Sequence, residues 1–361
     1  MAFIDSILQP PSYGWQNEDG ELIVPTKKQL WAEAFSRMNI FKSSQNWLSF
    51  ASAAMIVCML PFVYFFLFHY FSWATVGAFL LYTMIIMGTH GTIWFHRFCT
   101  HKSYRFSHPI WRIVTQNLVI KTLPEEIYTI SHHVHHAKSD LPGDPYNARG
   151  GFLYCMLAEF NHQRLSLSLN EQEYQRAANL MKHTGVSINT YKEYKKWGSL
   201  ATPFYTVTLW ILNWAFWYAA FYLIGGHGLA CAMFSSALTW FLGVRAFNYT
   251  GHGGGEEKHV DGVDFDRRNL SINQMRPGLF AGEWHNNHHL YPGSARAGFL
   301  PHQLDLPWIY IYCLSKIGAV SWYHDSKKEF FKKYGAHLKK EVVPHSMSSA
   351  IAPSAQHSVS E

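Results

Sequence analysis

Three clusters of histidine carry the chemistry of this chain: HRFCTH at 96–101, HHVHH at 132–136 and HNNHH at 285–289. Neutral imidazole is the commonest nitrogen ligand for first-row transition metals. In an H-x-x-H-H segment on a helix, positions i, i+3 and i+4 fall within about 100° of one another. His132, His135 and His136 can therefore point at one place, and so can His285, His288 and His289. His96 and His101 are about 140° apart around a continuous α-helix, so they share a face only across a bend or a helix end. His252, with Asn248 four residues before it, adds another candidate. This set exceeds what one tetrahedral zinc uses, so the spacing predicts two metals. Isolated histidines such as His69, His162 and His183 recur in no such pattern and read as ordinary core or surface side chains.

The elements that must position these residues are apolar. Residues 47–68, about 71–94, 203–224 and 229–247 form four nearly charge-free runs, each near the ~20 residues that cross a bilayer. Very short turns, the second being Gly225-Gly226-His227-Gly228, pair them into two hairpins. The predicted fold is an all-α integral membrane protein with four transmembrane helices and a cytoplasmic helical cap holding a histidine-coordinated dimetal site. Lys and Arg are absent from both hairpin turns but frequent at Lys27, Lys28, Arg37 and Lys42 and across the central segment. This places the N-terminus, central loop and C-terminal region in the cytoplasm. Three segments are expected: a cytoplasmic stretch 1–46, a membrane domain 47–343 and a disordered tail 344–361. The apolar patches near 110–120 and 307–320 read as interfacial or packed helices.

Composition narrows the function classes. Charged residues are 15% and aromatics 17% of 361 residues, against about 25% charged in soluble domains. The net charge of +6 comes with no basic stripe of the kind that binds nucleic acid. Five cysteines without C-x-x-C spacing argue against a disulfide scaffold. A His-rich metal transporter would need ionisable residues along its spans, and these are nearly bare. A zinc hydrolase of the H-E-x-x-H type lacks its motif. Activation of an unreactive C–H bond by O2 needs a redox metal, which zinc cannot be.

The three boxes in this order resemble the membrane fatty acid desaturase family, in its Δ9-type acyl branch, over roughly residues 88–321. HRFCTH is similar to that family's first box. HHVHH with AKSDLPGDPYNARGG keeps its spacing to Asp144, Pro145 and Asn147. GEWHNNHHLYPGSARAG, followed by Gln303, Asp305, Leu306 and Trp308, resembles the bacterial third box. The resemblance implies two irons, Fe2+ when reduced, held by His96, His101, His132, His135, His136, His252, His285, His288 and His289, with Asn248 reaching one through water. It implies O2 as co-substrate and an acyl chain in a bent apolar tunnel. Asp144, Asn147, Glu283 and Asn287 are expected to orient the ligand rings. His133, at the variable position of its box, is not expected to ligate. Ile130 and Ser131 stand where animal acyl-CoA enzymes of the family carry an Arg-Asp pair. An acyl-lipid, acyl carrier protein thioester or free acid therefore ranks ahead of acyl-CoA, with Arg149 and Arg164 as the nearest basic candidates. No His-Pro-Gly-Gly haem motif occurs, so electrons should come from a separate ferredoxin, rubredoxin or cytochrome b5-type protein. Oxidative decarboxylation of a free fatty acid to a terminal alkene is the rival on the same scaffold. A bacterial inner membrane is favoured over the endoplasmic reticulum.

Overall fold

The computed structural model describes residues 3–252, 254, 284–301 and 303–341. Glu283 and the tail 344–361 lie outside the described residues. The chain divides into residues 1–325 and 326–361; the described part of the second unit is one helix, α9 (Lys327–Glu341).

Two long apolar helices open the membrane-type core. α1 spans Trp47–Phe68, and α2 spans Trp73–Thr100. Ser72 sets the start of α2: its side chain accepts from Thr75 N at 3.2 Å, and Thr75 Oγ1 accepts from Ser72 N at 3.0 Å. This capping box satisfies two otherwise orphaned N–H groups. α2 runs six residues past the predicted end at 94 because its charged turn is buried in protein. Arg97 there pairs with Asp305 at 2.9 Å and donates to the Ala295 carbonyl at 2.5 Å. β1 (Tyr104–Phe106), α3 (Pro109–Gln116), α4 (Glu125–Lys138) and α5 (Ala158–Asn161) follow.

The third long helix, α6 (Pro203–Thr250), contains a break: Gly225 has φ −149°, ψ 22° and Gly226 φ 68°, ψ −168°. The second pair of angles lies in a region essentially restricted to glycine. Trp214 and Phe234, which a straight helix would hold ~30 Å apart, have ring centroids 5.6 Å apart. The two arms therefore double back on each other. The reversal needs only Gly225 and Gly226, so the second arm begins before the predicted residue 229 and extends past 247 to Thr250. Phe62 of α1 stacks on Phe234 at 4.5 Å, and Phe66 stacks on Phe79 of α2 at 5.4 Å. These contacts join both helical pairs around one aromatic core. Three helices (Ser44–Phe68, Trp73–Thr100 and the broken Pro203–Thr250) are long and apolar enough to cross a membrane.

Non-helical chain at 117–124 packs against this core with its backbone groups satisfied by side chains. Ile120 N donates to Tyr82 Oη at 3.1 Å and Lys121 N to Asn213 Oδ1 at 2.9 Å. Trp214 and Trp217 donate to the carbonyls of Lys121 and Asn117 at 2.8 and 3.0 Å. Irregular backbone is tolerated beside apolar helices only when protein partners satisfy it in this way. α7 (His285–Leu290), α8 (Leu306–Lys316) and β2 (Val320–Tyr323) close the first unit. β1 and β2 pair antiparallel with Tyr104 opposite Tyr323 and Arg105 opposite Trp322. The N-terminal stretch packs into this unit rather than trailing from it: Asn161 of α5 donates to the Leu30 carbonyl at 3.0 Å.

Candidate metal centre

Wide winding at the end of α2 brings the first box together. Residues Gly91–Thr100 form a π-helix, in which hydrogen bonds run i to i+5 and stack residues five apart. His101 N donates to the His96 carbonyl at 3.1 Å, and the two ring centroids lie 4.9 Å apart. The predicted bend between them is thus replaced by a change of helical pitch, with the helix ending only at His101. Gly91 opens this stretch because Trp240 of α6 approaches closely. A Cβ there would meet its Cζ2 at 2.4 Å.

Nine imidazoles converge in two groups. His96, His101, His132, His136 and His288 form one, and His135, His252, His285 and His289 the other; within each, the potential ligand nitrogens lie within 4.8 Å of one another. Nε2 separations are 2.8 Å for His96–His288, 2.9 Å for His288–His136 and 2.9 Å for His285–His252. Burial first, then the mutual proximity of the rings, holds His101, His132, His136, His285 and His288 well below the ordinary imidazole range. They are neutral at pH 7, the form that ligates.

Several rings are oriented from behind. Asp144, fully buried, accepts from His135 Nδ1 with both oxygens at 3.0 Å and also holds the N–H groups of Asp140 and Tyr146. Asp140 accepts from His252 Nδ1 at 3.2 Å, from a backbone at φ 60°, which Asp tolerates better than most residues. Tyr146 Oη contacts His132 Nδ1 at 2.6 Å. With the proton on Nδ1, Nε2 presents a bare lone pair to the centre. His101 Nε2 and His135 Nε2 are buried without any protein hydrogen-bond partner. Buried nitrogen lone pairs in this number and density have no protons to share among themselves. The donor set fits two borderline metal ions bound through nitrogen.

The other expected residues sit differently. Asn147 bonds its own loop, accepting from Arg149 N and donating to the Leu141 carbonyl. Asn287 donates to the Ala297 carbonyl at 2.8 Å and to Gln303 at 2.9 Å. Neither reaches a ring. Short amide side chains close backbone turns more readily than they span to a neighbour, and Asn287 thereby clamps α7 to the loop before α8. Tyr146 and Asp140 were missed; their closeness to Asp144 in SDLPGDPYN was the available signal. His133 Nε2 is buried outside both groups.

A cavity of about 330 Å³ begins at His96, His132, His135, His252 and His285. It extends past Gly91 and Gly88 to Met84 and Thr83 of α2, with Trp240, Phe241, Val244 and Phe247 forming an apolar wall; Asn248 also lines it. Arg149 is exposed and does not line this cavity. Arg164 instead donates to Asn46 at 2.8 Å. The arginine in the wall is Arg245, buried, paired with Glu159 and held over the rings of Phe241 and Phe160.

Comparison with known proteins finds a family model, fatty acid desaturase, matching residues 71–308. The sn-1 stearoyl-lipid 9-desaturase of Synechocystis sp. is 27% identical over 324 residues, covering 83% of this chain and 90% of that one. The enzyme of the same name from Anabaena variabilis is 25% identical over 257 residues, covering 70% and 84%. The hex-5-enoyl-[acyl-carrier protein] acetylenase of Moorena producens is 25% identical over 244 residues, covering 62% and 69%.

Proposed function

This chain belongs to the fatty acid desaturase family and is a membrane oxidoreductase of fatty acyl chains, and from that premise we propose a di-iron enzyme that inserts a cis double bond into a lipid-linked or free acyl chain. The observation that carries the reading is nine convergent imidazoles at the head of an apolar cavity. The two histidine groups would hold one iron each, with Asn248, which lines the same cavity, reaching one through water. When bound, the pair of irons supplies the reduction of O2 and the removal of two hydrogens from adjacent methylenes.

The protein's own residues do the positioning. Trp240, Phe241, Val244 and Phe247 exclude water and hold the chain by dispersion and apolar burial. Gly88 and Gly91 line the cavity on the α2 side, and Gly91 lets Trp240 of the wall pack close against that helix. Asp144, Asp140 and Tyr146 hold ring tautomers and therefore ligand geometry. No histidine here acts as an acid or base in the reaction.

Of the basic residues that follow the second box, Arg149 and Arg164 do not line the cavity, so neither is placed there to hold CoA phosphates. Arg149 is exposed and outside the cavity lining, and Arg164 and Arg245 are already engaged. The stearoyl-lipid and acyl carrier protein names of the relatives above stand beside acyl-CoA 5-desaturases of similar identity, so the ranking of acyl carriers rests on these residues alone. Electrons come from a separate one-electron protein. In this proposal α6 crosses twice, giving four spans, and the histidines face the cytoplasm across a bacterial inner membrane.

Expression in a host that lacks the activity, with mass spectrometry of its lipids and headspace, tests the proposal. A new internal double bond in membrane acyl chains is expected, together with about two irons per purified chain. Volatile terminal alkenes would instead assign oxidative decarboxylation, and one zinc per chain would remove the oxygen-dependent reading.

A further inference from the structure

A second pocket, separate from the metal centre, is lined by Lys102, Arg105 and Arg112 together with Tyr104, His183 and Trp322, with a volume of about 280 Å³. No carboxylate lines it. Among the described residues none of its three cations forms an ion pair, whereas the buried Arg37, Arg97 and Arg245 all do. Lys102 holds φ at 51°, an uncommon conformation for a lysine. Arg105 and Trp322 are cross-strand partners on β1 and β2, and both are exposed, so they share the outer face of the ribbon. Lys102 and Arg112 help hold the His183 imidazole down at about 4, after burial as the main cause. The pocket is thus a concentrated positive field that the protein itself leaves unneutralised.

α3 leads away from this pocket into the apolar region. Ile110, Ile113 and Val114, at i, i+3 and i+4 on one face, are 44–51% exposed. The residue that follows the helix, Asn117, is bonded by Trp217 of α6, well along that arm from its start at Pro203. A cationic, aromatic-rimmed pocket therefore stands at one end of an exposed apolar stripe that descends beside the membrane helices.

We propose that this pocket binds the phosphate of an anionic membrane phospholipid, whose acyl chains lie along Ile110, Ile113 and Val114. Arg supplies planar, paired N–H donors suited to phosphate, and Lys a point charge. Free phosphate would use the same cations but leave the stripe uncovered, so the lipid explains both features. Because Lys102 directly follows His101, an occupied pocket also braces the end of the π-helix. The inference rests on the chain lying in a membrane, but it is independent of which acyl substrate is used.

The test uses the full-length protein purified into nanodiscs of phosphatidylcholine with 20% phosphatidylglycerol, read by native mass spectrometry after release into detergent. Retained phosphatidylglycerol is expected on the wild type, weakened about fivefold for each cation removed in K102Q and R112Q. R105Q, on an exposed strand face, provides a variant that leaves the fold intact. Equal retention of both lipids, or retention unchanged in R105Q and R112Q, would overturn the proposal. Displacement by millimolar inorganic phosphate at lipid-equivalent affinity would reassign the site to a free anion. Loss of binding to an acidic redox protein in these variants, with lipid retention unchanged, would reassign it to donor docking. Failure of the wild type to enter nanodiscs would count against the membrane reading itself.

Discussion

At the scale of single residues, ligand and support histidine contacts make different predictions. Replacing any of the nine clustered histidines by Ala is expected to abolish desaturation and lower bound metal, while the chain still inserts in the membrane. H133Q should retain activity, since His133 lies outside both groups. A dead H133Q beside an active H135A would show that the second box is read in the wrong register. Asp144→Asn keeps the shape but removes the charge that accepts from His135 Nδ1. Loss of such an outer contact typically costs ~10–100-fold in metal affinity or activity. Iron titration of the D144N protein, compared with D140N at His252, checks that range; wild-type affinity in both would deny these carboxylates a role. These contacts were only partly legible beforehand. Asp144 followed from its motif, but Tyr146 and Asp140 reach their rings through a folded loop whose path no spacing rule states.

At the scale of elements, glycine and helical pitch do work that larger residues could not. Gly226 has no atom within 4 Å of a hypothetical Cβ, yet its φ is +68°. G226A therefore isolates backbone strain from steric clash, and should destabilise the protein by about 1–3 kcal/mol. Thermal unfolding in detergent would show this as a lowered midpoint, with activity retained below it. An unchanged midpoint would mean that the turn between the arms of α6 relaxes freely. The π-helix is the opposite case. HRFCTH looked incompatible with one helical face only because 3.6 residues per turn was assumed. Pitch is set by what packs against the helix, here α4 and the Asp305 network that anchors Arg97.

For the whole molecule, four crossings would place the Gly225-Gly226 reversal on one side of the membrane and the histidine cap on the other. Single cysteines introduced at Gly226 and Lys195 should react with an impermeant maleimide from opposite faces, Lys195 from the cytoplasm. Reaction of both from one face would refute the crossing of α6 as two spans. The cavity is long because the metal groups sit at one end and Thr83 lies more than three α-helical turns away along α2.

The order of the three boxes, the apolar runs and the family could all be read from sequence alone, because hydropathy and i, i+3, i+4 periodicity are local properties of the chain. The reversal of α6 was legible for the same reason, since a Gly-Gly pair between two apolar runs has few other uses. What only tertiary structure decided was how residues far apart in sequence share space. The partition of nine imidazoles into groups of five and four draws His288 to the first box and His135 to the third. Arg245, unremarked in a helix of aromatics, became half of a buried ion pair in the cavity wall because Glu159 folds against it. Arg149, favoured for its place after the second box, is exposed and lies outside the cavity lining. Coordination, ion pairing and cavity shape all depend on distances across the fold, which no spacing along the chain encodes.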